Sequence, residues 1–259
     1  HIMELGKICR TNNHLKKIEF VSTVGVGGRM QGIVPETWLT SEREFHNTYE
    51  QAKAEAEDFI KSYADEGFPI TVHRPSMVVG DSKTGKILHF QIFYHLCEFL
   101  SGGRTLGITP DTGQTRLDII PSDYVAGVIA WSSSTEKTVG KILHECSGPD
   151  QAILVSELKK RVLKIFNNHG ERLPEFFSIP VWVFKAILPV IGLFVSKSAR
   201  RAMKALPVFF DYLATSQGFG NGQTRDDSKD SGIELPAIDG YLEIVVNKYL
   251  EHKKTKQAA

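Results

Sequence analysis

The sequence predicts an α/β fold with a parallel sheet, followed by a mostly helical segment. Residues 17–26 are rich in β-branched side chains and end in glycines, which indicates a buried strand. A helical pattern at 45–64 and a short apolar run at 69–74 follow this strand. Two strands joined by a helix of this length form the crossover unit of a parallel sheet. After residue 150, helical patterns predominate and strand signals nearly disappear.

Each predicted element has its own sequence signals. Charged side chains are threaded between apolar ones from residue 45 until Gly67, which ends the helical pattern. Ser122 or Asp123 is the expected N-cap of a later helix. The glycine-rich polar segment at 218–231 predicts an exposed loop. The predicted helices span residues 1–10, 45–64, 87–100, 122–132, 156–167, 181–194, 198–215 and 238–252, and the predicted strands span 17–26, 69–74, 116–120 and 141–146.

Composition excludes several classes of protein. The 31 Lys and Arg residues against 30 Asp and Glu give a formal net charge of +1, so no global field would hold nucleic acid or an anionic membrane. Cys9, Cys97 and Cys146 form no CxxC pair, which argues against a disulfide framework or a zinc site and favours a reducing, cytoplasmic setting. The first residues lack the apolar stretch of a signal peptide. The apolar run at 176–195 is interrupted by prolines, so no transmembrane helix is predicted.

A tyrosine and a lysine lie four residues apart in the second predicted helix. Tyr49 and Lys53 therefore emerge on one helix face, one turn apart. A nearby ammonium group favours the phenolate, which predicts a lowered pKa for Tyr49 and a role in proton exchange. The preceding strand brings the Ser22 and Thr23 hydroxyls to its carboxyl end, where open α/β sheets bind ligands. Alternation along a strand predicts that Ser22 and Thr23 point to opposite faces.

Three stretches in this region resemble one known family. FVSTVGV at 20–26, NTYEQAKAEAE at 47–57 and HRPSMVVGDSKTGK at 73–86 resemble the extended short-chain dehydrogenase/reductase family. Within it they are similar to the branch of thioester reductases and fatty acyl-CoA reductases, in which Thr replaces the more usual Ser. The resemblance covers residues 1–150 with specific motifs and is looser beyond them.

The resemblance implies roles for individual residues. Thr23 would donate a hydrogen bond to the substrate carbonyl and Tyr49 would supply the proton. Lys53 would hold the nicotinamide ribose and lower the tyrosine pKa. The turn formed by Pro75 and Ser76 would lie beside the nicotinamide.

The implied cofactor-binding set joins this turn to the end of the first predicted strand and to the helix that follows it. It consists of Ser22, Tyr49, Lys53, Pro75 and Ser76.

The implied architecture is a Rossmann-like, doubly wound parallel sheet with a helical substrate lobe. Residues 1–150 would form the C-terminal part of the NAD(P)-binding domain with the catalytic residues, and residues 151–259 the substrate lobe. The glycine-rich segment at 25–32 does not fit a GxGxxG phosphate loop, because Met30 stands where the third glycine belongs. The resemblance therefore implies an N-terminally truncated fold that begins inside the fourth helix of the family. NADPH is the implied cofactor, with NADH as the alternative.

The implied activity is reduction of an acyl thioester, on CoA or on an acyl-carrier protein, to an aldehyde or alcohol. Two other interpretations stay open. One is an NAD(P)-dependent epimerase, dehydratase or ketone reductase of the same superfamily, and the other is a non-catalytic binding or membrane-associated module. The large apolar residues at 181–194 and 206–213 fit core packing, an acyl-chain tunnel, or a patch in peripheral contact with a membrane.

Several other polar residues have plainer interpretations. His46 and His73 are expected to be surface or satisfied core histidines rather than acid/base groups. Lys83 and Lys86 lie in a glycine-bearing loop that could receive the phosphates of a carrier, although a solvated loop is the simpler expectation. Helix capping is the expected role of Asp123.

Overall fold

The computed structural model describes residues 1–103, 105, 107–171, 173–174, 177–184, 186–187 and 217–258. The chain forms helices α1 (Ile2–Thr11), α2 (Thr48–Asp65), α3 (Ile92–Leu100), α4 (Ser122–Ser133), α5 (Val155–Asn168), α6 (Gly222–Ser228) and α7 (Ile238–Ala258). Its strands are β1 (Ile18–Val21), β2 (Gly32–Val34), β3 (Ile70–His73), β4 (Met77–Val79), β5 (Ile108–Pro110), β6 (Arg116–Leu117), β7 (Ile119–Pro121), β8 (Ile142–Leu143), β9 (Ile153–Leu154), β10 (Phe177–Ile179) and β11 (Gln217–Phe219).

The centre of the fold is a parallel sheet of order β1-β3-β8, and α2 is the crossover between its first two strands. In this sheet Ile18 pairs with Ile70, and Val72 pairs with Ile142. The ladders β4-β7, β2-β11 and β5-β10 are also parallel, whereas β6-β9 is antiparallel. The predicted α/β class is confirmed.

The first strand is shorter than predicted because its end is capped. The chain leaves the sheet after Val21, and the Thr23 hydroxyl accepts a hydrogen bond from the Gly25 amide at 3.2 Å. This contact begins a short 3-10 helix, Val24–Gly27. Gly28 ends that turn with a φ of +55°, and a Cβ there would lie 2.2 Å from the Glu44 carbonyl oxygen. These glycines form a tight turn, in agreement with the prediction that this segment is not a phosphate-binding loop.

Helix α2 begins three residues later than predicted because Asn47 caps it. The Asn47 side chain accepts a hydrogen bond from the Glu50 amide at 2.9 Å. The Glu50 carboxylate in turn accepts from the His46 amide at 2.9 Å. This reciprocal arrangement satisfies backbone donors that a helix start leaves unpaired. It also fixes the position of Tyr49 at the first turn.

Two clusters of apolar side chains hold the helices in place. One lies between α1, α2 and the central sheet and includes Met3, Tyr63 and Ile70. The larger cluster joins α3, α5 and α7 and includes Phe93 and Val246, both fully buried. The second cluster packs elements from both sides of residue 150 together. The division of the chain at that residue stays a prediction.

The segment at 218–231 is not the exposed loop that its composition predicts. It contains the end of β11, the helix α6 and a further helical turn, and Thr224 is fully buried. Glu36 holds α6 by accepting hydrogen bonds from the Gln223 amide at 2.7 Å, from the Thr224 amide at 2.9 Å and from the Thr224 hydroxyl. A carboxylate that is distant in sequence accepts hydrogen bonds from the amides at the start of α6. The segment is therefore helical, although its local composition predicts an exposed loop.

Some of the other predictions for the second half of the chain are confirmed, and others are wrong. The helices predicted at 156–167 and 238–252 are confirmed, but the strands β9, β10 and β11 were missed because they are two or three residues long. Residues 181–184 are helical, whereas 188–216, with the whole predicted helix 198–215, lie outside the described residues. Within the described part of the chain, no helix combines the length and apolar character needed to cross a membrane.

Candidate active site

A cavity of about 920 Å³ opens at the carboxyl ends of β1 and β3. Its lining includes five of the six residues predicted for the site. Ser22 and Thr23 follow β1, Pro75 and Ser76 follow β3, and Tyr49 comes from the first turn of α2. The parallel sheet brings these positions together because the carboxyl ends of neighbouring parallel strands lie at one edge. The sixth residue, Lys53, is one turn further along α2 and does not line the cavity.

Thr23 has a hydroxyl proton that is only weakly engaged. Its oxygen lies 3.5 Å from the Pro75 carbonyl oxygen, at the outer limit of a hydrogen bond, while it accepts from the Gly25 amide. The amide of Val24 donates to the same Pro75 carbonyl at 3.1 Å. The Thr23 hydroxyl oxygen is thus held in place by the hydrogen bond that it accepts. Its proton remains available to a ligand.

Tyr49 and Lys53 do not show the expected coupling in this structure. The Tyr49 side chain is 58% exposed, and partial burial raises its pKa. The predicted lowering by a neighbouring cation is therefore not found. The Lys53 ammonium donates instead to the Val21 carbonyl at 3.1 Å, which directs it to the end of β1. Both residues nevertheless share one face of α2, and Tyr49 lines the cavity.

Two hydroxyls of the site are buried without a hydrogen-bond partner among the described residues. Ser22 is 3% exposed and Ser76 is 9% exposed. Ser22 lines the same cavity as Thr23, because strand alternation ends at Val21. An unsatisfied buried hydroxyl costs about 1–3 kcal/mol. A polar ligand group would recover that cost.

Asp118, which the sequence did not single out as functional, also lines the cavity. It is 8% exposed and accepts hydrogen bonds from the Ser147 amide at 2.8 Å and the Gly148 amide at 2.9 Å. Burial raises the pKa of Asp118 to about 6, although these hydrogen bonds oppose the rise. The one available sequence signal was a carboxylate at the start of an apolar strand, which is unusual unless it has partners.

Asp123 does not cap helix α4, contrary to prediction. The N-cap position is Pro121, which has no side-chain hydrogen bond, and Ser122 also makes none there. The Asp123 carboxylate instead accepts from the Ser82 amide at 2.8 Å and from the Ser82 hydroxyl at 2.6 Å. It thereby fixes the loop after β4. Lys83 and Lys86 are exposed in that loop and do not line the cavity.

His73 is a satisfied core histidine, as predicted. It is fully buried between two carboxylates, with Nδ1 2.6 Å from Glu145 and Nε2 2.8 Å from Glu19. These carboxylates outweigh the effect of burial and raise the pKa of His73 to about 9. His46 lies outside the cavity lining and is hydrogen-bonded to Glu50 at 3.0 Å.

A buried ion pair stands directly before the Pro75 turn. Arg74 is fully buried, and its guanidinium donates to both oxygens of Glu57, at 2.9 and 2.5 Å. Its remaining nitrogen donates to the Thr37 carbonyl at 3.1 Å. His144 lies against this cation, so burial and the Arg74 charge lower the pKa of His144 to about 3.

The rest of the cavity is lined mainly by apolar side chains. They come from the turn after β1, from β2, β4, α3 and β6, from the residue before β9, and from the β11 strand that the sequence failed to predict. The members are Val24, Ile33, Met77, Val78, Ile92, Leu117, Ala152 and Phe219. Polar side chains also contribute to the lining, namely Asn47, Glu50, Gln91, Gln114, Thr115, Arg116 and Gln217.

The parallel sheet with its crossover helix, and a cavity at the strand ends, are the features of a Rossmann-like α/β protein. Residues 2–129 match the NAD-binding family described as "Male sterility protein". This segment, just under half of the chain, is similar to the extended short-chain dehydrogenase/reductase family and to its thioester-reductase-like branch.

Individual relatives agree with this assignment. The chain is 29% identical over 140 residues to "Aldehyde reductase lnaA" of Aspergillus flavus, which covers 50% of this chain and 13% of that protein. It is 33% identical over 112 residues to "Isonitrile lipopeptide synthase" of Streptomyces coeruleorubidus, which covers 42% and 7%, respectively. The chain therefore spans a small fraction of the length of these curated relatives.

A solved structure shows the same fold. The terminal R domain from the myxalamid PKS-NRPS biosynthetic pathway superposes with a TM-score of 0.69 at 22% sequence identity. The match covers 92% of this chain and 58% of that domain. The predicted Rossmann-like α/β fold is thus confirmed.

Proposed function

We propose that this chain carries the catalytic residues of an NAD(P)H-dependent reductase of acyl thioesters, with NADPH as its cofactor. The observation that supports this most directly is the convergence of Thr23 and Tyr49 on one cavity at the carboxyl ends of parallel strands. Thr23 hydrogen-bonds the carbonyl oxygen of the substrate, since its proton is weakly engaged in the structure. Tyr49 supplies the proton to the same oxygen.

The buried hydroxyls of the cavity fit a polar cofactor. Ser22 and Ser76 lie at the ends of neighbouring strands, and neither hydroxyl makes a hydrogen bond of ordinary geometry among the described residues. Both hydroxyls can therefore hydrogen-bond a nicotinamide nucleotide. Pro75 shapes the turn between them, and Lys53 holds the ribose. When bound, the cofactor supplies the hydride for the reduction. The two hydroxyls and the ammonium group of this set support a nicotinamide nucleotide. The choice of NADPH over NADH comes from the branch that the motifs resemble.

The apolar lining favours an acyl substrate over a sugar nucleotide. Apolar walls bind by buried area, at about 25 cal/mol per Å², and need no specific polar partners. We assign the acyl group to the part of the cavity near Ile33, Ile92 and Phe219. Reduction gives a hemithioacetal, which collapses to an aldehyde and a thiol, and a second reduction gives the alcohol.

A carrier protein is the proposed donor of the thioester, with acyl-CoA as the alternative. Similarity to a lipopeptide synthase and to an R domain of a PKS-NRPS pathway supports the carrier. We also propose that residues 1–150 hold the catalytic residues and residues 151–259 form the substrate lobe. Comparing turnover of the same acyl group on CoA and on a purified carrier protein tests the choice of donor.

NADPH oxidation by the purified full-length protein tests the activity. We expect oxidation with an acyl thioester, aldehyde or alcohol by mass spectrometry, and loss of at least 100-fold of the rate in Tyr49→Phe, in line with the usual contribution of general acid catalysis. Tyr63→Phe is the matched control, because Tyr63 lies on the same helix in the apolar cluster behind the sheet. NADPH binding with epimerised or dehydrated sugar products would support the second enzyme class, and absence of binding would support a non-catalytic module. Equal rates in Tyr49→Phe and Tyr63→Phe would contradict the assigned mechanism.

A further inference from the structure

Two buried carboxylates of the described cavity lining, Glu50 and Asp118, have no part in the proposed mechanism. Glu50 accepts a hydrogen bond at the start of α2, whereas Asp118 has no such role in a helix cap. Asp118 precedes β7, which pairs with β4, and so lies next to the turn that contains Ser76. Each Asp118 oxygen accepts one backbone amide, from Ser147 and from Gly148. A carboxylate oxygen has two lone pairs, so each oxygen keeps one for a further donor.

Ser76 is a neighbour of this carboxylate and, unlike it, can donate a hydrogen bond. Its hydroxyl faces Asp118 closely enough to lower the carboxyl pKa, but it makes no hydrogen bond of ordinary geometry among the described residues. Its amide is fixed by the Glu145 carbonyl at 3.0 Å. The backbone therefore holds in place a hydroxyl that is nine-tenths buried and lines the cavity.

A carboxylate accepts hydrogen bonds only, while a hydroxyl can donate. Placed side by side on a cavity wall, they complement a ligand group that carries an N–H donor and a carbonyl acceptor together. We propose that Asp118 and Ser76 form a subsite for an amide of the ligand, in which Asp118 accepts from the amide N–H and Ser76 donates to its carbonyl. This inference rests on the proposed function, which supplies two amide-bearing ligands. They are the carboxamide of a nicotinamide and the amides of a pantetheine arm.

The subsite has a pH signature. Below pH 6 the Asp118 carboxylate gains a proton and loses the charge that strengthens its bond to an N–H, so amide affinity falls as pH drops through 6. Tyr241 and Cys146, whose titrations respond to Asp118, have pKa values raised well above neutral and stay protonated in this range. The pH dependence therefore belongs to Asp118 within this group.

The test compares ligands with and without the N–H. One arm measures equilibrium binding of NADPH and its 3-acetylpyridine analogue, in which a methyl ketone replaces the carboxamide. The other arm measures binding of pantetheine and of an analogue in which ethers replace both of its amides. We expect wild type to prefer the amide-bearing member of one pair about tenfold at pH 7.5, and less at pH 5.5. The arm that shows the preference identifies the source of the amide.

Variants assign the preference to the two residues. Asp118→Asn keeps the shape of the side chain but loses the charge, and Ser76→Ala removes the hydroxyl. Each should reduce the preference toward unity, and Asp118→Asn should also abolish its dependence on pH. Asp123→Asn is the matched control, because Asp123 accepts two hydrogen bonds from the loop after β4 outside the cavity. It should leave the preference unchanged.

The outcomes separate this inference from the proposed function. If amide-dependent binding is present without NADPH oxidation, the proposed activity fails and the subsite stands. If wild type oxidises NADPH but neither arm shows a preference, or if both variants keep it, the subsite is overturned. Absence of amide-dependent binding in an inactive protein overturns both.

Discussion

Replacing His73 should change how the stability of the protein depends on pH. The imidazole is fully buried and contacts Glu145 and Glu19, one through each ring nitrogen. These carboxylates raise its pKa from 6.5 to about 9. Because the folded-state pKa is the higher one, the stabilisation is complete below the unfolded pKa and is lost as pH rises through 9.

The magnitude follows from linkage between the two pKa values. With values of about 6.5 unfolded and about 9 folded, His73 contributes about 2.5 kcal/mol to the free energy of unfolding at pH 7 and about 0.4 kcal/mol at pH 9. Wild type should therefore lose about 2 kcal/mol between these pH values from this residue alone. His73→Gln removes the titration and should lose correspondingly less. It is nevertheless less stable at pH 7, because the buried Glu145 carboxylate loses its cation, whereas Glu19 keeps its ion pair with Lys17.

Urea unfolding at pH 7, 8 and 9 measures this difference. His144→Gln is the matched control: His144 is equally buried, but its pKa is lowered to about 3, so it is neutral over the whole range. Its pH dependence should equal that of wild type. The same loss of stability between pH 7 and 9 in all three proteins would refute the charge assignment. Should His73→Gln not fold, an NMR titration of the His73 imidazole in wild type gives the answer, and a pKa below 7 would refute it.

Two further substitutions probe the structure behind the cavity. Glu57→Gln removes the negative partner of the buried Arg74 guanidinium and should cost about 3–5 kcal/mol in urea unfolding, and a cost below 1 kcal/mol would show that the pair is not buried as described. Gly28→Ala places a Cβ 2.2 Å from the Glu44 carbonyl at a positive φ and should lower the free energy of unfolding by more than about 1 kcal/mol, whereas an unchanged thermal midpoint would exclude the tight turn.

The parts of the fold that were predictable depend on local signals. The helix α2, the sheet pair around it and the positions of Thr23 and Tyr49 follow from hydrophobic periodicity and from short motifs. Those signals are strong where many consecutive residues repeat one period. The exact helix start required a side-chain contact, since Asn47 and Glu50 cap α2 three residues after the predicted start.

The parts that were missed depend on contacts between distant residues. Strand β11 is three residues long and forms only because it pairs with β2, nearly 190 positions earlier. Glu36 supports helix α6 across a similar separation, so a segment of glycines and polar residues became ordered. For the same reason, the sequence did not predict that Gln217 and Phe219 line the cavity. Asp118 was overlooked because its partners, the Ser147 and Gly148 amides, are not visible in sequence.

The buried charges at the end of β3 hold the turn that follows this strand. His73 and Arg74 are held by carboxylates from three other elements, and they immediately precede the Pro75 turn. Removing one partner of a buried ion pair is costly because the other charge is left unpaired, so these pairs favour the arrangement in which both partners are in place. Because the Pro75 carbonyl holds Val24 and meets Thr23, a shift of β3 would displace two of the proposed ligand-binding turns together. The buried charges of His73 and Arg74 therefore help to fix the distance between the Pro75 turn, which is proposed to bind the cofactor, and the Thr23 hydroxyl, which is proposed to bind the substrate.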